Sequence, residues 1–454
     1  MRNLKYEMRI SLKMTGCKNN RYELDKIQEW SVSHGIGISD DGEADFSIIN
    51  TCTVTQIADK KSRQMIRKTK NRNPKLQTIV FGCAARVQKK EFEKIKEIDF
   101  LLPDLKSVIG FLEDMNKKSA NPTVGDNDHC RLPIGGLSDF NHTRAFVQIQ
   151  DGCDSFCSYC IIAAARGKSK SRPDDEIISE INAHAKNGFK EIVLTGINIG
   201  AYGCTNTRKP EESRFAELLE KIIRDTDIPR IRISSLGPEY FFNYPTSDAQ
   251  STESATTTSR LQKTVAQKSK YILNKKLTDI FNNPRVCPHI HLSVQSGSDS
   301  VLKRMRRNYS VEQMDKIIST LKKEIPGIAI TNDVIVGFPE ETDEEFQETY
   351  DFIKRNGFAK SHIFPYSIRK NTLAEKMKQV PEKTKKERAL RLQKLSDKQR
   401  AEFIKSQIGG KFEILWELDG EGLTGNYIKV KNLKKHPPRT ITGERLTEEN
   451  VVMD

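Results

Sequence analysis

The cysteine motif at Cys153, Cys157 and Cys160 constrains this sequence most, because its C-x-x-x-C-x-x-C spacing follows directly on an apolar segment, Ala145 to Gln150. Thiolates are favoured ligands of iron–sulfur clusters, and this short spacing lets one loop hold three corners of a cubane cluster. A zinc knuckle and a disulfide pair are the alternatives, but zinc normally takes four ligands and no fourth Cys or His stands nearby. The motif therefore predicts a 4Fe-4S cluster with one iron free of protein ligands.

The N-terminal region repeats a unit in which an apolar segment ends in a small polar residue or glycine, followed at once by a cysteine. The unit occurs three times, at Cys17, Cys52 and Cys83, with helical stretches between the copies. This alternation predicts a parallel α/β sheet, in which the carboxyl ends of the strands meet at one edge. The three cysteines are therefore expected to lie close together, although each one alone would more often be a small buried hydrophobe.

A second series of strands and helices begins near residue 145 and predicts a partial barrel of six strands, with functional loops at their carboxyl ends. The predicted strands are Ala145 to Gln150, Glu191 to Leu194, Arg230 to Ser234, His289 to Val294, Ile328 to Val336 and Ser361 to Tyr366. The polar segment from about 244 to 270 is expected to be an exposed, mobile insertion between the third and fourth strands.

The C-terminal region is predicted to contain a long basic helix, Glu382 to Ser406, followed by a small β-structure. Lys411 to Glu417 and Asn426 to Lys431 are the predicted strands, joined by the turn-rich run Asp419 to Gly422. The predicted fold class is therefore α/β: an N-terminal parallel α/β sheet, a central partial barrel and a small C-terminal β-barrel.

The charge balance favours a polyanionic partner such as nucleic acid, because 75 Lys and Arg stand against 61 Asp and Glu, a net charge of +14. No run approaches the ~20 apolar residues that span a bilayer, and the first nine residues lack the apolar stretch of a secretory signal. We therefore expect a cytoplasmic protein with no membrane partner. Its nine cysteines are then expected to bind metal or do chemistry rather than form disulfides.

The barrel with its cysteine motif resembles the radical S-adenosylmethionine (SAM) superfamily, and the N-terminal cysteines resemble the methylthiotransferase family within it. Further matching stretches are Ile49 to Thr55, Arg166 to Pro173, Leu194 to Asn198, Cys287 to Asp299 and Phe364 to Ser367. The resemblance implies three domains: an N-terminal methylthiotransferase domain over 1–125, a radical SAM core with a partial (β/α)6 barrel over 140–375, and a TRAM-like domain over 406–454. The short length of the last region leaves its completeness open.

The resemblance also implies SAM and two 4Fe-4S clusters as cofactors. The cluster in the barrel loop would bind and reduce SAM, so that a radical formed from SAM removes a hydrogen atom from the substrate. A second cluster, on Cys17, Cys52 and Cys83, would hold or donate the sulfur atom, which a second SAM methylates. An electron-donor protein, such as a flavodoxin or ferredoxin, and a sulfur source are the implied partners of this chemistry.

Residues that contact SAM in the family match six positions of this sequence. They are Tyr159, Thr195, Gly196, Asn198, Ser235 and Gln295. Tyr159 lies between the last two cysteines of the motif, where the backbone of an aromatic residue commonly meets the adenine; ordinary loop packing is the alternative. Ser235 and Gln295 end predicted strands, so a hydrogen bond within the strand ends is an equally good explanation for their polarity.

Methylthiotransferases of this family modify either an adenosine beside the tRNA anticodon or an aspartate of a ribosomal protein. The stretches Gly16 to Glu23, Thr51 to Thr55 and Cys287 to His289 resemble the branch that acts on N6-threonylcarbamoyl-adenosine at tRNA position 37. The expected activity is the addition of a methylthio group to carbon 2 of that nucleoside in the anticodon stem-loop. Isopentenyl-adenosine, a ribosomal-protein aspartate, a radical SAM reaction without sulfur transfer and non-catalytic RNA binding are the alternatives.

Two basic clusters favour an RNA partner, because phosphate contacts are made mainly by Lys and Arg. The first cluster is Lys60, Lys61, Arg63, Arg67, Lys68, Lys70 and Arg72, and the second is Lys303, Arg304, Arg306 and Arg307. A solvated helix face is the alternative explanation for each cluster taken alone.

The sequence departs from the family pattern in the loop beside the barrel cluster. Ala163, Ala164 and Ala165 stand where the family normally has Pro-Tyr-Ala, so a rigid proline and an aromatic ring are absent. This departure leaves open whether the substrate packs there as it does in the family.

Overall fold

The computed structural model describes residues 8–119, 142–243 and 272–453. The segment 244–270, predicted as an insertion, lies outside the described residues. No helix in these three ranges is both long and apolar enough to cross a membrane.

The N-terminal unit is a five-stranded parallel sheet with strand order β2-β1-β3-β4-β5. Its strands are β1 Arg9–Met14, β2 Gly37–Ile38, β3 Phe46–Thr51, β4 Gln77–Gly82 and β5 Phe100–Leu101. Its helices are α1 Lys18–Ser33, α2 Gln56–Arg72, α3 Cys83–Val87, α4 Lys89–Phe92 and α5 Leu105–Ser119. Helices α1 and α5 pack on one face and α2 to α4 on the other, so the central strand β3 is buried along its whole length. The predicted parallel sheet is confirmed.

The central unit is an open barrel of six parallel strands, as predicted. Its long strands are β6 Ala145–Asp151, β8 Glu191–Gly196, β9 Arg230–Ile233, β13 His289–Gln295, β14 Ala329–Val336 and β15 Lys360–Pro365. The short strands are β7 Lys170–Ser171, β10 Ser235–Leu236, β11 Phe242–Asn243 and β12 Ile272–Leu273. Ser234 alone separates β9 from β10, which pairs with β13, so the two halves form one continuous wall. Within the described residues β6 and β15 do not pair, and the barrel stays open there.

The helices of this unit lie mostly between its strands, and two of them begin at capping boxes. They are α6 Ile162–Arg166, α7 Asp174–Lys186, α8 Phe215–Asp225, α9 Lys275–Ile280, α10 Asp299–Arg304, α11 Val311–Glu324, α12 Asp343–Asn356 and α13 Glu382–Gln407. Ser310 with Gln313 and Thr342 with Glu345 form capping boxes at the starts of α11 and α12. Gly357 then ends α12 in the left-handed conformation that glycine adopts without strain.

The C-terminal unit is a four-stranded antiparallel sheet, which corrects one detail of the prediction. Its strands are β16 Lys411–Trp416, β17 Glu421–Thr424, β18 Lys429–Lys431 and β19 Ile441–Arg445, in the order β18-β17-β16-β19. Glu421 and Gly422, predicted as turn residues, begin β17, because Gly422 pairs with Trp416 and a side chain there would collide with the indole ring. Val430 also bridges Val451, so the sheet curls around a core of Ile414, Trp416 and Ile428.

Buried charges join the C-terminal sheet to the base of the barrel. Glu191 is fully buried and pairs with Arg232 at 2.6 Å and Arg230 at 2.8 Å. Arg232 also donates hydrogen bonds to the main-chain oxygens of Thr424 and Gly425 in the C-terminal sheet. Burial opposes ionisation of Glu191, but the two arginines together lower the pKa of its carboxyl group to about 2. Glu191 is therefore ionised, and the ion pair intact, at neutral pH.

We predict that Glu191→Ala lowers the free energy of unfolding by about 3–5 kcal/mol, because it leaves two buried guanidinium groups without a carboxylate. Thermal or urea unfolding followed by circular dichroism measures the change. Asp315→Ala is the control, since Asp315 pairs with Arg355 on the surface and its loss should cost only about 0–1 kcal/mol. Equal losses for the two variants would contradict a structural role for the buried cluster.

Candidate active site between the N-terminal sheet and the barrel

The loop after β6 holds Cys153, Cys157 and Cys160 with hydrogen bonds directed at the sulfur atoms. The amide of Ser155 donates to Cys153 Sγ at 3.4 Å, and that of Ile162 donates to Cys160 Sγ at 3.5 Å. Gly152 opens the loop at a φ of 75°, and a Cβ there would stand 2.0 Å from the Lys168 carbonyl oxygen. The loop therefore gathers three cysteines whose sulfurs receive N–H groups suited to thiolates.

A buried arginine lies against this loop. Arg307 Nη1 donates to Cys157 Sγ at 3.4 Å, and its Nε donates to the hydroxyl of Tyr309 at 2.9 Å. Burial raises the pKa of the Cys160 thiol to about 12, and the neighbouring Cys157 adds to the rise. A positive charge beside Cys160 would favour its thiolate, which is the form that binds metal.

The three N-terminal cysteines also converge, as the strand-end argument predicts. Cys17 is the N-cap of α1, Cys52 follows β3, and Cys83 is the first residue of α3. Gly16 lies so close to Cys52 that an added Cβ would stand 2.3 Å from its Sγ. Burial raises the pKa of Cys52 to about 11 and of Cys83 to about 12, and the charge of Cys17 contributes to both shifts. The cysteines are therefore electrostatic neighbours although the chain separates them widely.

Arg166 connects the two groups of cysteines. It ends α6, just beyond the barrel loop, and its Nε donates to Cys83 Sγ at 3.0 Å. Its Nη1 pairs with Glu23 at 2.5 Å and its Nη2 donates to Asn20 Oδ1 at 3.0 Å, while only 5% of the side chain is exposed. Asn20 Oδ1 in turn accepts from Cys17 Sγ at 3.6 Å. One guanidinium group thus fixes the barrel loop against two of the N-terminal cysteines.

Both cysteine groups have the donor atoms that a 4Fe-4S cluster uses. In the described part of the chain, no three His, Cys, Asp or Glu side chains converge as the ligands of one metal ion would. Each cysteine of a 4Fe-4S cluster binds a different iron atom, so its ligands surround a volume rather than a point. Three thiols per group, with amide or guanidinium donors to their sulfurs, therefore fit such a cluster.

Three of the positions matched to SAM contacts, Thr195, Gly196 and Gln295, end β8 and β13, and a fourth, Ser235, begins β10 just beyond the end of β9. Thr195 donates to Asn19 Oδ1 of α1 at 3.3 Å, so the N-terminal sheet reaches the mouth of the barrel. Gly196 lies against the Gln150 carbonyl oxygen, which a Cβ would approach to 2.7 Å. Ser235 bonds Ser293 at 2.8 Å, and Gln295 has a φ of 65°. The strand-end hydrogen bond expected as an alternative for Ser235 is thus present, and its role toward SAM stays a prediction.

The other two matched positions lie in loops. The amide of Asn198 donates to Gln150 Oε1 at 2.8 Å, and its side chain donates to the Tyr240 hydroxyl at 2.9 Å. Tyr159 packs edge-on against Phe338, with ring centres 6.4 Å apart. Its side chain therefore packs in the loop, as the alternative explanation holds. The contact of its backbone with the adenine of SAM stays a prediction.

The first of the two basic clusters forms a charged surface, and the second does so only at Lys303 and Arg306. Five of its residues are exposed on α2 and have no ion pair in the described structure: Lys60, Lys61, Arg67, Lys68 and Arg72. Arg63 instead pairs with Glu91, and Lys70 with Asp99. In the second cluster, Arg304 pairs with Glu345 and Arg307 faces Cys157, so the prediction of a second phosphate-binding surface is wrong for these two residues.

Reading the sequence alone missed the roles of Arg166 and Arg307. Arg166 was visible only as part of a matching stretch, and Arg307 only as one member of a basic run. Their partners, Glu23 and Cys83 for one and Cys157 for the other, lie about 80 to 150 positions away in the chain. No local pattern predicts these pairings, because the first depends on how the two units dock and the second on how distant segments of the barrel unit pack together.

Two family models match the chain. The model described as "Radical SAM superfamily" matches residues 147–353, and the model "Uncharacterized protein family UPF0004" matches residues 9–103. The first match covers the barrel with its cysteine loop, and the second covers the N-terminal sheet with its three cysteines.

Curated relatives match over almost the whole chain. Threonylcarbamoyladenosine tRNA methylthiotransferase MtaB of Bacillus subtilis (strain 168) is 37% identical over 93% of this chain and 89% of its own length. The tRNA-2-methylthio-N(6)-dimethylallyladenosine synthase of Methylacidiphilum infernorum (isolate V4) is 32% identical over 95% of this chain and 87% of its own length.

A solved structure shares the fold. The radical S-adenosylmethionine methyltransferase TsrM of Kitasatospora setae superposes with a TM-score of 0.50 over 81% of this chain and 75% of its own, at 13% identity. At that identity the likeness concerns the fold alone.

We predict that Arg166→Met lowers the free energy of unfolding by about 3–5 kcal/mol, because Glu23 is left buried without its partner. Thermal unfolding of the reduced protein measures the loss. Arg224→Met, which removes an exposed pair with Asp225, should change the midpoint little. The double variant Arg166→Met with Glu23→Gln should recover part of the loss, and a strictly additive double variant would contradict the coupling.

Proposed function

The chain belongs to the radical SAM methylthiotransferase family, and from this membership we propose that it adds a methylthio group to carbon 2 of N6-threonylcarbamoyladenosine at position 37 of tRNA. The observation that carries the proposal is the link between the two cysteine groups, in which Arg166, just after the barrel loop, donates to Cys83 of the N-terminal unit at 3.0 Å. One group suffices for SAM chemistry, whereas sulfur insertion needs a second site. The higher identity to the threonylcarbamoyladenosine relative supports that nucleoside over dimethylallyladenosine.

Membership of the radical SAM superfamily implies SAM and a 4Fe-4S cluster. Cys153, Cys157 and Cys160 would hold this cluster, and Cys17, Cys52 and Cys83 would hold a second one. When bound, SAM and the first cluster supply the radical chemistry needed to replace an unactivated aromatic C–H bond. The second cluster is proposed as the place from which sulfur is transferred.

The chain's own residues would hold these groups in a fixed relation. Arg307 places a permanent positive charge at Cys157, which would offset the negative charge of cluster thiolates. Arg166 does the same at Cys83 and keeps the two sites at a constant separation. The proposed SAM contacts are Tyr159, Thr195, Gly196, Asn198, Ser235 and Gln295.

The anticodon stem-loop of tRNA is the proposed macromolecular partner. The five unpaired cations on α2 form a face whose charge suits phosphate, and the exposed side chains of Val54 and Ile57 lie beside it. We propose domain limits of 1–125, 140–375 and 406–454, with a TRAM-like role in RNA binding for the C-terminal sheet. An electron-donor protein, a sulfur source and a cytoplasmic site of action complete the proposal.

Nucleoside mass spectrometry tests this function directly. Anaerobically reconstituted enzyme is incubated with SAM, a reductant and tRNA that carries either threonylcarbamoyladenosine or isopentenyladenosine. We expect a methylthio group in place of hydrogen on the threonylcarbamoyl nucleoside alone. A gain on the isopentenyl nucleoside alone would overturn the proposed substrate and keep the reaction. If SAM is cleaved but neither tRNA gains a methylthio group, both modified tRNAs are rejected as substrates.

We predict that Cys157→Ala abolishes SAM cleavage, whereas Cys17→Ala retains SAM cleavage and forms no methylthio product. Each variant should also lose about half of the bound iron, because each removes a ligand of one cluster only. Chromatography of 5′-deoxyadenosine and of the modified nucleoside, with an iron assay, measures these effects. Cys204→Ala is the control, because this buried cysteine lies outside both groups and should leave both products unchanged. Methylthiolation by Cys17→Ala at the unmutated rate would disprove the second site.

A further inference from the structure

An open cavity of about 470 Å³ lies where all three units meet. Cys17 and Lys18 at the start of α1 form one wall, Thr143 and Arg144 just before β6 form another, and Leu418 of the C-terminal sheet borders it. The cavity thus adjoins a cysteine proposed to hold the sulfur-transferring cluster. It also opens on the β6 edge, where the barrel wall is incomplete.

Lys18 is the cation of this cavity that lacks a counter-ion. Arg144 pairs with Glu417 at 3.0 Å, and Arg21 pairs with Asp25 at 3.5 Å. The ammonium of Lys18 makes no hydrogen bond or ion pair in the described part of the chain, although the residue is half-buried. A lysine partly withdrawn from water and left unpaired is costly, and an anionic ligand would remove the cost. Asp419 also borders the cavity, but it is exposed at its rim.

The position of Lys18 directs its charge toward the barrel interior. The next residue, Asn19, accepts a hydrogen bond from Thr195 at the carboxyl end of β8. Burial lowers the pKa of His289 on β13 and of His362 on β15, and the positive charge of Lys18 adds a smaller contribution to both shifts. Lys18 therefore lies near residues of β8, β13 and β15.

We propose that Lys18 binds the carboxylate of the threonylcarbamoyl group and so selects that nucleoside over one with an apolar substituent. This inference rests on the proposed function, because it concerns the substrate named there. Threonine linked through a carbamoyl group to the adenine N6 keeps its carboxylate, whereas an isopentenyl group has no charge. A single unpaired ammonium beside Cys17 meets the anion while the adenine ring lies within reach of the proposed sulfur site.

Binding of anticodon stem-loops tests the assignment without turnover. Three RNAs of one sequence carry at position 37 threonylcarbamoyladenosine, its methyl ester or unmodified adenosine, and fluorescence anisotropy measures their dissociation constants for the reconstituted enzyme. The unmutated protein should bind the acid about ten- to a hundredfold more tightly than the ester, as expected for a charged hydrogen bond. Lys18→Gln should remove this preference and leave the affinity for the ester unchanged, and Lys18→Arg should keep it.

Lys61→Gln on the α2 face is the matched control, since loss of a phosphate contact should weaken all three RNAs by the same factor. The same uniform weakening by Lys18→Gln would overturn the proposal and make Lys18 a phosphate contact. Equal affinity of the unmutated enzyme for the acid and the ester would overturn the proposal without any variant. The proposal can therefore be tested even if the Lys18→Gln protein misfolds. If the enzyme prefers the acid over the ester but does not methylthiolate the nucleoside, the proposed function is rejected and the assignment of the carboxylate site is retained.

Discussion

The buried guanidinium group of Arg166 is the interaction on which the arrangement of the site depends. It satisfies a carboxylate, an amide oxygen and a thiol on the N-terminal sheet, and all three partners lie on segments at the carboxyl edge of that sheet. An ion pair taken out of water contributes little net stability. A planar guanidinium group that donates to several fixed acceptors nevertheless determines the relative positions of those acceptors closely. Arg166 therefore serves to fix the position of the two cysteine-bearing units relative to each other rather than to add net stability.

At the opposite end of the barrel, a second buried arginine joins the barrel to a neighbouring sheet. Arg232 pairs with the buried Glu191 and donates to main-chain oxygens of the C-terminal sheet, while its guanidinium lies 4.8 Å from the ring centre of Tyr427. The barrel is thus attached at one end to the sheet with the second cysteine group and at the other to the antiparallel sheet. The cavity at Lys18 lies beside the start of β6, on the barrel edge that does not pair with β15, and residues of both attached units line it.

Elements with a strong local cause could be predicted from the sequence, and contacts between distant segments could not. The capping boxes at Ser310 and Thr342 fix the starts of α11 and α12, and the strand-end rule brings Cys17, Cys52 and Cys83 together. Strand β17 was missed because its Glu421 and Gly422 have the composition of a turn, and only pairing with β16 makes them a strand. Arg307 was assigned to the surface for the same reason, since its burial depends on the loop of Cys157.

The alanines that replace the family's Pro-Tyr-Ala are compatible with the same loop geometry. They form α6, and Ala165 is buried where its carbonyl oxygen accepts a hydrogen bond from Arg86 of α3 at 2.8 Å. Amide groups in the first turn of a helix have no partner within the helix, so a proline near the start removes nothing that α6 needs. Alanine in place of proline therefore acts mainly by raising the conformational entropy of the unfolded loop, and the folded loop keeps its shape. Arg166 still reaches Cys83. What the departure removes is an aromatic surface at Ala164, which is exposed beside the site, and not the connection between the two cysteine groups.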